Sequence, residues 1–298
     1  GVAWEQTTVA RIQAGEPGRP APLAVPVFAG RVELAGPPGV YEFAATVEHG
    51  AGPAGGRLKF TLAERLHDAA AGAGYSVTVL EDGQEERGGR LSNWLKAHGV
   101  AAAPFQAESD DQPDAPQVVL IGDLSQMPEA TVDATWQALL ARITSGAVAI
   151  FLSPAVFGRG DDALARLPLG AGSTETRGRC YEFNDWLYHK ECVAKAHPVL
   201  AGLAAPGVMD WDYYGPVIPH LIFDGQDTPA ETMAAAFALG YSCPGGYASG
   251  FLLAGYRYGA GSFILNTFNI LDNLDRHPAA DRLLANLLSY AASVERQR

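Results

Sequence analysis

Cysteine is scarce in this chain: Cys180, Cys192 and Cys243 are the three in 298 residues. A disulfide framework needs more, so the fold must rest on a buried core, and the compartment is left open. Basic charge is also short. Lys and Arg number 21 against 33 Asp and Glu, a formal net charge of −12, and the densest basic stretch, Arg87 to Arg90, holds two arginines. That balance excludes a phosphate-backbone-binding surface and fits no nucleic acid or anionic membrane. A neutral partner such as a sugar suits it better. No apolar run approaches the roughly 18 residues that a membrane-spanning helix requires. The start has neither the basic residues nor the apolar stretch of a secretory signal. Gly1 in place of Met predicts an excised or processed chain, and localisation cannot be read from this end. With 48% hydrophobic and 18% charged residues, disorder is excluded and a large core is expected.

What is present is organised around residues 117–154. Val118, Val119, Leu120 and Ile121 form an unbroken apolar block, the pattern of a parallel strand covered on both faces. Val132, Trp136, Leu139, Leu140 and Ile143 then recur at helical spacing, and Gly146 stops that helix. Ala147–Leu152 is a second buried strand. Together they predict one right-handed β-α-β crossover in a parallel sheet with helices on both faces. In such sheets chemistry sits at the carboxyl ends of the strands, so the exit Phe151-Leu152-Ser153-Pro154-Ala155 is the place to look.

Around this unit, residues 1–63 form a β-rich segment. Its lead-in is irregular, and from Leu23 to Ala63 alternating runs separated by Gly-Pro turns predict roughly three or four strands of a small β-sandwich-like piece. The α/β domain is expected over 64–298, opening with Val77–Leu80 and a helix carrying Leu91, Trp94, Leu95 and His98. A short strand near Ala101–Phe105 follows. Gly72 and Gly74 precede a strand instead of following one, so no dinucleotide fingerprint is read there. The acidic stretch at 108–116 lacks the EF-hand spacing and its final Glu, and reads as a solvated loop. Hairpins and loops are expected at about 155–230. Phe251–Tyr258 and Ser262–Thr267 are expected to close the sheet, and a helix is expected from Pro278 to Val294.

Trp94–Val100, Val118–Leu124, Gly146–Pro154, His197–Leu203 and Gly259–Ala291, in this order, resemble the class I glutamine amidotransferase-like fold, a flavodoxin-like α/β domain. More narrowly, the chain resembles the catalytically silent version found as an accessory domain in multidomain glycoside hydrolases. The segment before it looks like part of an immunoglobulin-like domain. The resemblance implies a carbohydrate-active parent enzyme whose other domains or subunits are the partners, with carbohydrate a further candidate. It implies no cofactor and no metal. An active member needs a cysteine at the turn after Ala147–Leu152 and a His and a Glu near the end of the sheet. Here the turn holds Ser153, Pro154 and Ala155, and the closing strand runs into Asn266-Thr267-Phe268-Asn269. Pro154 lacks the N–H that an oxyanion would need from the residue after a Ser153 nucleophile.

Other chemistry is weighed against simpler readings. Cys180, His189, Cys192 and His197 are zinc-ligand types, but Cys180 to Cys192 is wider than a structural zinc pair, and core thiols and capping histidines explain them as well. Asp210 and Asp212 flank Trp211. On a strand they would share a face as an acid/base pair, and in a loop they would cap backbone. Trp186, Tyr188, Trp211, Tyr213, Tyr214, Tyr241 and Tyr247 can stack on sugar rings or pack at a domain contact. A glycoside hydrolase or sugar-binding module built on Asp210, Asp212 and these aromatics is the alternative. Arg159-Gly160-Asp161 matches an adhesion tripeptide by letter alone.

Overall fold

The computed structural model describes residues 2–11, 15, 17–18, 26–48, 55–63, 66, 76–82, 89–107, 117–170, 177–183, 191–203, 206–239 and 246–296. The chain divides into two compact units, Gly1–Glu64 and Arg65–Arg298.

In the smaller unit β1 (Gly39–Thr46) and β2 (Gly55–Leu62) form an antiparallel pair. Tyr41 and Phe60 lie opposite each other and stack at 5.7 Å, the cross-strand aromatic contact that steadies a hairpin. The run 25–36, expected to be a strand, forms none over its described residues 26–36. It alternates as a strand would, but among the described residues no partner strand reaches it, and Pro37 and Pro38 have no N–H to donate.

Among the described residues the larger unit is mixed α/β around one sheet of eleven strands. β3 (Ser76–Leu80) leads to α1 (Gly89–Ala97) and β4 (Ala102–Pro104); β5 (Gln117–Ile121), α2 (Glu129–Thr144) and β6 (Val148–Phe151) follow. After β6 come β7 (Arg179–Glu182), β8 (Glu191–Ala194), β9 (Gly207–Val208), the short α3 (Trp211–Tyr214) and β10 (Leu221–Asp224). The chain ends with β11 (Glu231–Leu239), β12 (Tyr247–Tyr258), β13 (Gly261–Asn266), α4 (Ile270–Asn273) and α5 (Pro278–Arg296). The order is β4-β3-β5-β6-β13-β12-β11-β8-β9, with β10 against β12 and β7.

Pairing is parallel from β4 to β13 and antiparallel beyond it. The expected all-parallel sheet is therefore corrected to a mixed one. The connections explain the change: β12 and β13 are separated by two residues, which forces a hairpin. Short stretches of the expected 155–230 insertion also join the sheet as β7 to β10.

Side chains alternate across the parallel half. Val118 and Leu120 join a cluster with Leu91, Trp94 and Leu95 of α1 and with Leu283, Leu284 and Leu287 of α5. Val119 and Ile121 join another with Val132, Trp136 and Leu139 of α2. Each fully buried Leu or Val contributes about 1.5–3 kcal/mol. Gly261 is needed where β13 meets the end of α2, because a Cβ there would overlap the carbonyl oxygens of Ile143 and Ala147.

Candidate functional site

Three parallel strands deliver their exits to one edge: Glu81 and Asp82 after β3, Gly122 and Asp123 after β5, Leu152 and Ser153 after β6. The chain goes from β3 to β4 on one side and then to β5 on the other, so the topological switch lies between β3 and β5. That crevice is zipped shut. The N–H of Gly122 donates to Leu80 O and the N–H of Asp82 to Asp123 O, both at 2.9 Å. Asp82 is buried; its Oδ2 accepts the Gln126 N–H at 2.9 Å, and its Oδ1 has no partner among the described residues. Beside it, Glu81 accepts a hydrogen bond from Ser92 Oγ, and burial pushes the Glu81 carboxyl above its ordinary value.

The exit of β6 is where the resemblance stated above would place a nucleophile. Ser153 sits at φ −145°, ψ 138°, relaxed extended backbone, and caps a 3-10 turn over Pro154–Phe157. Its Oγ accepts the Ala155 N–H at 3.3 Å. A nucleophile elbow instead holds its residue in a strained turn. Among described non-glycine residues the positive φ belongs to Asp275, at 59°, far along the chain before α5. Opposite Ser153, the end of β13 is occupied by Asn266. Its Nδ2 donates to Leu152 O at 3.2 Å and to Phe268 O at 3.1 Å, and its Oδ1 accepts the Phe268 N–H at 3.0 Å. Thr267 Oγ1 donates to Leu252 O at 3.3 Å. The side chains that face the exit of β6 thus hold backbone together. His98 stacks on Trp94, His197 Nε2 meets Glu231 Oε1 at 3.1 Å, and His277 accepts the Ala279 N–H, so these histidines are engaged elsewhere.

One strand over, between the exits of β5 and β6, an open cavity of about 240 Å³ remains. Leu124, Val132 and Val156 form its apolar wall, and Asp123, Ser125, Glu129 and Arg159 its polar one. Arg159 pairs with Glu129 at 3.2 Å and Asp133 at 3.1 Å, and Arg166 pairs with Asp133 at 2.9 Å. Arg166 also donates to Gly158 O. This network was not foreseen. The signal was the acidic pair Glu129 and Asp133, at i and i+4 from the start of α2, which reads as an ordinary solvated face. It also disposes of the Arg159-Gly160-Asp161 tripeptide, whose arginine is held down by two carboxylates.

The sequence-derived candidates fall elsewhere. Asp210 is not on a strand: it caps α3, its Oδ1 accepting the Tyr213 N–H at 2.9 Å, while Asp212 lies in that helix's first turn. Asp210 and Asp212 therefore share no strand face. Trp211 packs partly buried against the core, and Tyr214 is buried. Tyr213 lies edge-on to Tyr214 at 4.7 Å and 5.0 Å from His277, and burial raises its hydroxyl pKa. Tyr247 is exposed. Trp186, Tyr188, His189, Tyr241 and Cys243 lie outside the described residues. Cys180 and Cys192 belong to different core clusters, and burial pushes the Cys180 thiol up to about 12. Among the described residues no three His, Cys, Asp or Glu side chains converge as metal ligands.

No family model matches the sequence, and no curated protein matches it. In shape the chain is similar to a β-galactosidase from Rahnella sp. R3, with TM-score 0.40 and 16% identity, over 72% of this chain and 31% of that one. A β-galactosidase from Bacillus circulans sp. alkalophilus gives TM-score 0.39 and 12% identity, over 75% and 31%. A cytoplasmic protein from Salmonella typhimurium gives TM-score 0.33 and 12% identity, over 84% and 95%. The chain thus spans less than a third of the length of either galactosidase.

Proposed function

We propose that this chain is a non-catalytic accessory domain of a carbohydrate-active enzyme of the glycoside hydrolase kind. Its larger unit is read as a silent class I glutamine amidotransferase-like domain of flavodoxin-like ancestry, preceded by part of an immunoglobulin-like segment. Its partners are other domains or subunits of that enzyme, and it serves their architecture, an oligomer contact or the edge of a substrate cleft.

The observation that carries the reading is the exit of β6. Ser153 lies in relaxed backbone with its hydroxyl oxygen capping a turn, Pro154 has no N–H to offer an oxyanion, and Asn266 stands across from it as a backbone clamp. An acyl-transfer site needs a nucleophile, a base and an oxyanion donor together. Among the described residues this edge brings no such set into register.

A surface feature supports the architectural role. The ladder register puts Val193, Val208, Phe237, Leu239 and Tyr247 on one face of the antiparallel half, and Val208, Leu239 and Tyr247 are more than half exposed. Grouped exposed side chains of this size mark a surface that packs against something.

Incubating the purified chain with chromogenic glycosides and with glutamine tests the reading. No turnover is expected from either. Glycoside hydrolysis abolished by Asp210→Asn or Asp212→Asn would replace the proposal with the glycosidase alternative.

A further inference from the structure

We propose that the cavity between the exits of β5 and β6 binds a small neutral polyol, the size and chemistry of a single sugar ring. The inference does not depend on whether the β6 exit is silent, since it concerns a different set of side chains.

Size comes first. At about 240 Å³ the cavity is smaller than the roughly 300–1,000 Å³ of sites for drug-sized molecules, which limits the ligand to one ring or its equivalent. Charge comes next. Arg159 and Arg166 are matched by Glu129 and Asp133 through contacts of 2.9–3.2 Å, so the cations are already neutralised. An anion would have to break those pairs and would also meet Asp123 at the rim. A cation would meet two guanidinium groups and compete with them for Glu129, gaining only Asp123 as a further carboxylate. A neutral ligand disturbs nothing.

The lining then selects among neutral ligands. Leu124, Val132 and Val156 offer apolar contact for the C–H groups of a ring. Asp123 uses Oδ1 to accept the Ser125 N–H at 2.8 Å, while its Oδ2 makes no hydrogen bond among the described residues. Glu129 directs Oε1 at the two arginines and likewise leaves Oε2 uncommitted among them. Acceptors at Asp123 and Glu129 therefore stand beside donors at Arg159 and Ser125. A hydroxyl group both donates and accepts, so adjacent hydroxyls on a ring can satisfy both sets together, which a hydrocarbon of that size cannot.

The test uses the full chain, amide NMR shifts, and methyl β-glucopyranoside as the neutral probe, with glucuronate and glucosamine as its anionic and cationic counterparts. The expected result is weak saturable binding of the neutral probe, with shifts confined to residues 123–129 and 155–160. Asp123→Ala should weaken it about tenfold, the loss of one hydrogen bond to a charged acceptor. Ala155→Trp, an exposed position on the mouth, should abolish it while leaving the rest of the spectrum in place. The proposal is overturned by no shift up to the solubility limit. It is equally overturned by tighter binding of glucuronate or glucosamine than of the neutral probe, or by shifts that map elsewhere and persist in Ala155→Trp.

Discussion

Asn266 donates its side-chain N–H to the carbonyl oxygen of Leu152 across 3.2 Å, tying the end of β13 to the end of β6. This bond stands at the edge where an amidotransferase-type sheet would bring nucleophile and base together. Asn266 is 1% exposed and makes its remaining bonds to Phe268, so it is fully committed to holding backbone. A clamp of this kind fits the architectural role proposed above.

Replacing Asn266 with Leu keeps the branched shape but leaves Leu152 O, Phe268 O and the Phe268 N–H without their partner. The expected loss is about 2–4 kcal/mol, because unsatisfied buried groups carry their full desolvation cost. Urea unfolding followed by circular dichroism measures it. A midpoint equal to that of the wild type would show that the clamp is dispensable.

Trp94 is fully buried, donates Nε1 to Asp281 Oδ1 at 2.8 Å and stacks on His98 at 4.2 Å. Trp94→Ala is expected to cost about 3–5 kcal/mol. Trp94→Phe keeps the packing and loses the bond, for about 1–3 kcal/mol, most of it from leaving Asp281 short of a donor. Thermal unfolding of the two variants should rank them in that order.

Gly261→Ala should destabilise by about 1–3 kcal/mol, since the new methyl meets two backbone carbonyl oxygens that cannot swing aside. A chemical-denaturation midpoint unchanged from wild type would mean that the β12–β13 turn can move off α2.

His277 predicts a pH dependence. Burial is the main cause that lowers its pKa below 6.5, and its Nδ1 must be unprotonated to accept the Ala279 N–H at the start of α5. With the folded value below the unfolded one, the unfolded chain binds more protons in that window, so stability rises with pH there. The contribution is complete above about pH 6.5 and is lost as pH falls through the folded value. Unfolding free energies measured from pH 8 to 5 should fall more steeply in the wild type than in His277→Asn, which keeps a capping side chain without the titration. Parallel curves would remove the histidine from the account.

The β5-α2-β6 crossover was legible because its signals are local. Four consecutive apolar residues at 118–121 and the helical spacing of Val132, Trp136, Leu139 and Ile143 need no knowledge of the rest of the chain. Helix α5 was legible for the same reason. The strand β11 was not, because Ala234, Ala235, Ala236 and Ala238 favour a helix in isolation, and only docking between β8 and β12 makes them extended. Asp210 caps backbone, one of the two readings its sequence allowed, but α3 itself was not legible because a four-residue helix leaves no period to read. At the strand exits, the missing cysteine was plain in the sequence. The role of Asn266 was hidden, since Asn266 and Leu152 are far apart in the chain and only the β6–β13 pairing brings their ends together.

The most direct measurement is covalent trapping. The chain is incubated with a diazoketone analogue of glutamine, which alkylates an activated nucleophile, and the product is read by peptide mass spectrometry. Intact, unmodified peptides spanning Ser153 and the remaining strand exits are the predicted result. A stoichiometric adduct on Ser153, or on any residue brought to the end of β6, would contradict the account.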